Sequence, residues 1–223
     1  MKVAVVGGGS TYTPELVSEL ARERDRLDVS ELVLHDVDVD RLEVVGGLAG
    51  RMLERGGFEG RLTLTGDLDR ALDGARFVLI QLRVGGQEAR LRDETLPLAC
   101  GCVGQETTGV GGFAKALRTV PVVLEIAERV RERATADAWI VDFTNPVGIV
   151  TRALVDNGHR AVGLCNVAIT FQRRFASLLG VDPTRLVVYQ VGLNHLTWVR
   201  VVLLDGSDVL PDLIAPHGDE LAA

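Results

Sequence analysis

An α/β fold built on a parallel sheet is predicted for this chain by two observations. Short runs rich in Val, Leu and Ile alternate with longer segments of helical periodicity, the pattern of strands covered by helices on both faces. The first such run, Val3-Ala4-Val5-Val6, reads as a buried strand that passes through three glycines straight into a helix. Strands are expected at residues 2–6, 31–35, 61–65, 77–82, 139–143 and 161–164. Helices are expected over 14–24, 40–54, 113–133, 148–157 and 168–179. Pro14 suits a first helical turn, where its missing N–H has no partner to lose, and Thr13 is the expected N-cap. Beyond Gly180 the character changes. Residues 185–192 and 196–204 read as strands, and Asp205-Gly206 signals a tight turn before a further short strand at 208–210. Residues 215–223, with Pro216 and Gly218, show no packing pattern, so this second, antiparallel or mixed unit reads as incomplete or dependent on a partner.

The 223 residues are 47% apolar, enough for one large or two small domains. A formal charge of -7 argues against nucleic acid and anionic membrane as partners, because both are polyanions. No apolar run approaches the roughly 18 residues of a membrane span. Cys100, Cys102 and Cys165 do not form a disulfide framework, and no signal segment precedes the first strand, so a cytoplasmic protein is expected.

Gly7-Gly8-Gly9-Ser10-Thr11-Tyr12 stands between strand and helix, the context that a dinucleotide-binding turn requires. Glycines there let the backbone turn sharply and let a pyrophosphate approach the positive end of the helix. Tyr12 replaces the usual third glycine, which predicts a slightly wider gap between helix and strand. Asp36, ending the second strand, is suited to accept from the ribose 2′-hydroxyl and to repel a 2′-phosphate, favouring NAD over NADP. His35 receives no role. The sheet is therefore read as Rossmann-like and doubly wound, with residues 1–181 as the NAD-binding domain. Residues 182–223 are read as the start of a mixed α+β substrate and metal domain, apparently truncated.

Three more polar loops follow strands and so fall on the ligand-binding edge: 81–87 (QLRVGGQ), Thr144-Asn145-Pro146 and Cys165-Asn166. The glycine-rich segment 103–113 is expected to be a shaped loop, with Gln105 to Thr108 offering polar groups to a ligand. Cys165 and His195 could meet as a two-ligand metal site open to substrate oxygens, although a core cysteine and a capped histidine are the plainer alternative. His159 and His217 read as solvated.

The motifs GGGSTYTPELV, RVGGQEARLRDETLPL, GQETTGVGGFAKALRTVP, DFTNPV, GLCNV and GLNHLTWV together resemble family 4 glycoside hydrolases over nearly the whole chain. Cys165-Asn166 looks like the 6-phospho-β-glucosidase branch. By that resemblance Gly7, Gly9, Ser10, Thr11 and Asp36 would hold NAD, and Cys165 and His195 a divalent cation, most often manganese. Arg90, Asn145 and Asn166 match substrate-contacting positions, and Glu106 matches a carboxylate that tunes the catalytic base. Asn166 stands where some relatives place a general acid, which an amide cannot be. The implied substrate is a small phosphorylated glycoside, cleaved by transient oxidation at C3 and elimination across C1 and C2 instead of by paired carboxylates. A homo-oligomer is implied too. The resemblance puts the base, a tyrosine, beyond Ala223, since the only tyrosines here are Tyr12 and Tyr189. Two alternatives stay open at this point: a malate- or lactate-type NAD-dependent dehydrogenase, or a non-catalytic NAD-binding module.

Overall fold

The computed structural model describes residues 1–222. Six strands, β1 (Lys2–Val6), β2 (Glu31–His35), β3 (Arg61–Thr65), β4 (Phe77–Ile80), β5 (Trp139–Asp142) and β6 (Ala161–Gly163), form one sheet in the order β3-β2-β1-β4-β5-β6. Every pairing in it is parallel. Strand order reverses between β1 and β4, which makes the carboxyl ends of those two strands the crevice where such sheets bind ligands.

Alternation along β1 shows how the sheet is covered. Val3 and Val5 point into a core with Val17 and Ala21 of α1 (Thr13–Arg22) and Leu42, Ala49 and Leu53 of α2 (Val39–Arg55). Ala4 and Val6 point the other way, into a core with Leu72 of α3 (Leu68–Leu72). That core is completed by Val123, Ile126 and Val130 of α5 (Gly109–Arg133) and by Val150 and Leu154 of α6 (Val147–Asp156). A strand buried on both faces must be apolar at every position, which is why β1 and β2 are legible as continuous hydrophobic runs.

The chain divides into two compact units, Met1–Leu164 and Cys165–Ala223. In the second, α7 (Val167–Leu179) packs Phe175 and Ala176 against Leu186, Val202 and Leu213. Leu186 lies on β7 (Leu186–Leu193) and Val202 on β8 (Leu196–Leu204), which pair as an antiparallel hairpin. Leu213 lies on α8 (Leu210–Ala222). The expected division at 181/182 assigns α7 to the nucleotide-binding part, whereas its buried side chains belong to this second core.

Several sequence expectations need correction. Thr13 does not cap α1: its Oγ1 donates to Gly8 O at 2.8 Å, and the cap position is Tyr12, whose side chain makes no cap hydrogen bond. A helix, α4 (Gly86–Ala99), begins at the end of the expected polar loop 81–87 and runs through residues for which no element is predicted. Its buried residues are Asp93 and Pro97, so no apolar stripe announced it. The glycine-rich loop is shorter than expected, because α5 already begins at Gly109. Gly111 and Gly112 sit in its first turn, where a Cβ on Gly112 would lie 2.5 Å from the carbonyl carbon of Thr107. The third strand of the second sheet, β9, is Ser207–Asp208, and Leu210 starts a helix instead of ending a strand. That helix forms despite Pro216 and Gly218 because Leu213 is wholly buried against the hairpin, and tertiary burial outweighs weak propensity.

Leu213→Ala should therefore cost on the order of 2–5 kcal/mol. Its half-exposed neighbour should tolerate Ile214→Ala within about 0.5 kcal/mol. Urea unfolding followed by Trp198 fluorescence in a Trp139→Phe background tests this. Equal effects at the two positions would mean that α8 does not pack as described.

Candidate functional site

The turn after β1 is crowded on three sides. Gly7 has φ 93°, in the left-handed region that favours glycine, and a Cβ there would lie 2.5 Å from Gln81 O. A Cβ on Gly8 would press on Leu34, and one on Gly9 on the Asp36 carboxylate, each at 2.8 Å. His35 O accepts from both Gly7 N–H and Gly8 N–H, at 2.9 and 2.7 Å. Gln81 Nε2 donates to Gly7 O at 3.0 Å and to Thr13 Oγ1 at 2.8 Å, tying the end of β4 to the same turn. Asp36 Oδ2 accepts from Gly9 N–H at 2.9 Å, so the structure brings Asp36 against the glycine turn. Ser10 is half-buried and Thr11 exposed at the start of α1. Tyr12, where a third glycine is usual, packs edge-on to Phe143 at 5.7 Å. The result is a bare-backbone cradle with a carboxylate at its rim, a fit for pyrophosphate and ribose.

Glu106 is the hub of a charge cluster in the same unit. Its carboxylate lies 2.5 Å from Lys115 Nζ, 2.9 Å from Arg83 and 3.5 Å from Arg90. Arg90 also donates to Glu94 at 2.8 Å, and Arg118 holds the nearly buried Asp93 through two nitrogens. Burial opposes ionisation of Glu106, yet Lys115 with Arg83 and Arg90 outweighs it and holds the carboxyl below its usual range. The Lys115 side chain is 3% exposed, and burial pulls its pKa down against the attraction of Glu106. Lys115, Arg83 and Arg90 against Glu106 and Glu94 leave one net positive charge, with Arg90 partly exposed. That suits an anionic ligand.

At the end of β5, Asp142 Oδ1 accepts from Thr144 N–H at 3.0 Å. Thr144 Oγ1 donates to Ile80 O at 3.2 Å and accepts from Leu82 N–H at 2.9 Å, joining the loops after β5 and β4. This clamp carries the half-buried Asn145, which precedes a cis peptide bond to Pro146. Asp142 itself is fully buried and its Oδ2 has no partner. Burial raises its pKa to about 7, against the hydrogen bonds from Thr144.

In the second unit, Cys165 Sγ and His195 Nε2 lie 3.4 Å apart, although 30 residues separate them in sequence. Cys165 precedes α7, and the exposed Asn166 is the N-cap position of that helix, making no side-chain cap hydrogen bond. His195 sits in the two-residue connection between Leu193 and Leu196, with φ 59°. A non-glycine residue there costs about 1–2 kcal/mol, a cost borne by the turn that brings the imidazole to the thiol. A thiolate and an imidazole are a donor pair suited to a borderline divalent cation, with positions left for other ligands.

Lys115, Arg83, Arg118, Asp93 and Asp142 were missed in the sequence. One signal was available: Lys115 and Thr119 fall on the α5 stripe that also buries Gly111, Ala116 and Val123. A polar residue on a buried stripe implies a buried partner. His159, expected to be solvated, has a side chain only 4% exposed and lies 3.2 Å from Glu128. His35 is buried as well, with Nδ1 lacking a partner.

Two predictions follow from the charges. The Asp142 carboxyl holds its proton more tightly in the folded chain, so its contribution is intact below the unfolded value of 3.8 and is lost as pH rises toward about 7. Relative to wild type, Asp142→Asn should gain roughly 2 kcal/mol between pH 5 and pH 7.5 in urea midpoints, at up to about 1.4 kcal/mol per pH unit. A difference independent of pH would show a carboxyl ionised throughout. Glu106→Gln takes from the buried Lys115 its hydrogen-bonded counter-charge, leaving only the more distant Asp93, and should cost on the order of 3 kcal/mol. Adding Lys115→Met should restore part of that loss, and strictly additive costs would refute the coupling.

The profile described as "Family 4 glycosyl hydrolase" matches residues 2–181. The chain is similar to a probable 6-phospho-beta-glucosidase of Bacillus subtilis (strain 168), at 46% identity over 223 residues, covering 98% of this chain and 50% of that protein. It is similar to a 6-phospho-beta-glucosidase of Escherichia coli (strain K12) at 39% identity, covering 96% of this chain and 48% of that protein. Among solved structures, the Thermotoga maritima 6-phospho-beta glucosidase with manganese, NAD+ and glucose-6-phosphate matches with TM-score 0.87 and 37% identity. That match covers 96% of this chain and 52% of the other. The chain thus spans about half the length of the curated relatives it matches. With the profile extending over most of its residues, the chain belongs to family 4 of the glycosyl hydrolases.

Proposed function

We propose that this chain is the nucleotide-binding and metal-ligating part of an NAD- and divalent-metal-dependent glycosidase that hydrolyses 6-phospho-β-glucosides. The observation that carries the reading is the approach of Cys165 Sγ to His195 Nε2 at 3.4 Å, from a residue held in a strained turn. The relatives' names and the ligands of the Thermotoga maritima structure support the same substrate class and cofactors.

In this reading Gly7 and Gly9 let the pyrophosphate approach without a side chain in the way, Ser10 and Thr11 offer it hydroxyls at the entry to α1, and Asp36 accepts from the adenosine ribose. Cys165 and His195 hold the cation. Bound there, NAD would supply a reversible hydride acceptor and the cation, manganese in that relative, a Lewis acid. The chain's own groups then orient the sugar. Arg90 offers a guanidinium to an anionic group, and the Asn145 amide can both donate to and accept from hydroxyls. Asn166 has no acidic proton, so it can position a substrate oxygen but not protonate a leaving group. Glu106 stays ionised among its cations and so keeps a fixed negative charge beside Arg83 and Arg90. The proposal includes a cytoplasmic homo-oligomer. Its three cysteines are free, and among the described residues no helix is long and apolar enough to cross a membrane.

Two measurements test the reading on the chain itself. Cobalt(II) should produce a thiolate charge-transfer band that Cys165→Ser abolishes and His195→Ala weakens. NAD should bind in calorimetry, at least tenfold more weakly after Asp36→Ala. For the whole protein, turnover of a 6-phospho-β-glucoside in D2O with NAD and manganese should leave deuterium at C2 of the sugar. Aglycone release without that label would refute the mechanism, and a cobalt spectrum indifferent to Cys165 would refute the metal site.

A further inference from the structure

Cys100 and Cys102 lie outside every role assigned above. Both are exposed free thiols, and only Gly101 separates them. They follow the last residue of α4, Ala99, with Cys100 at the C-cap position. Gly101 N–H donates to Leu98 O at 3.1 Å and Cys102 N–H donates to Pro97 O at 2.9 Å, with Gly101 at φ 67°. That pair of bonds is the Schellman cap, in which the residue after the cap takes the left-handed conformation. An extended residue would hold its neighbours' Cα atoms about 7 Å apart, past the roughly 6.8 Å that a disulfide spans. A left-handed residue shortens that distance, and glycine adopts the conformation without strain. The Cys102 side chain also folds back, placing Sγ 3.7 Å from Cys100 O.

We propose that Cys100 and Cys102 are a redox modification site, closing into a reversible disulfide by exchange with a small disulfide such as oxidised glutathione. One thiolate attacks a sulfur of the small disulfide, forming a mixed disulfide and releasing one thiol. The second thiolate then attacks the protein-bound sulfur and releases the other. The two cysteines are oxidised, the small disulfide is reduced to two thiols, and the two protons lost from the cysteines are carried by them. Exposure makes the bond readily reducible, as in labile regulatory disulfides and unlike buried structural ones. Closing the ring constrains Gly101 and hence the two cap bonds, immediately before the segment that carries Gln105 and Glu106.

The full chain is equilibrated in oxidised glutathione and dithiothreitol mixtures, quenched with an alkylating reagent and mapped by mass spectrometry. The expected product has lost two hydrogens, with Cys100 and Cys102 linked within one peptide, Cys165 alkylated, and full reversal by dithiothreitol. Cys100→Ser and Cys102→Ser should each accumulate the glutathione mixed disulfide at the remaining thiol, because the resolving partner is gone. Hydrogen exchange at the Gly101 and Cys102 amides should change at least severalfold on oxidation of the wild type and not of either variant. Mixed disulfides persisting on both thiols of the wild type, or a link that involves Cys165 or a second chain, would overturn the proposal.

Discussion

The turn after β1 passes so close to the ends of β2 and β4 that no side chain fits on its inner surface, and much of the first unit is arranged around that contact. Gly7 abuts Gln81, Gly8 abuts Leu34, and Gly9 abuts Asp36. Because these three neighbours come from two different strands, the turn fixes how the carboxyl ends of the central strands converge. It also keeps side chains off the backbone that leads into α1, the condition for an anion to approach a helix N-terminus closely. The carboxylate at the rim is anchored to the Gly9 amide itself.

Electrostatics distinguishes the second layer of the same unit. Burying Lys115 and most of Glu106 in one cluster is costly unless each has a partner, and Arg83 and Arg90 supply further cations around the carboxylate. The cluster draws on the loop after β4 (Arg83), on α4 (Arg90), on the loop that carries Glu106 and on α5 (Lys115), so its charges tie these four segments together. Asp93 with Arg118 does the same between α4 and α5. Helix α4 thus buries only Asp93 and Pro97, and ion pairs join it to Glu106 and to Arg118.

This explains what could be read from sequence and what could not. Strands β1, β2 and β3 occupy the expected residues: β1 and β2, buried along nearly their whole length, through their apolar runs, and the edge strand β3 through the alternation of Leu62 and Leu64 with Thr63 and Thr65. Helix α4 turns carboxylates and a proline inward and α8 rests on one deep leucine, so neither presents the periodicity on which helix recognition depends. The glycine turn was legible because close backbone approach demands glycine, and Asp36 because an acidic residue ending the second strand falls beside that turn. Cys165 and His195 were legible only as candidates, because their proximity is a property of the folded second unit. Lys115 and Asp142 were invisible because their significance lies in burial, and a lysine or an aspartate reads as surface until its surroundings are known.

The conformation of His195 carries one more implication. Its position in the hairpin would suit glycine or asparagine better, so the fold would gain from losing the imidazole while the thiol would lose its neighbour. The hairpin is thus less stable than its own backbone allows, and the difference is what it costs to seat an imidazole beside a thiol.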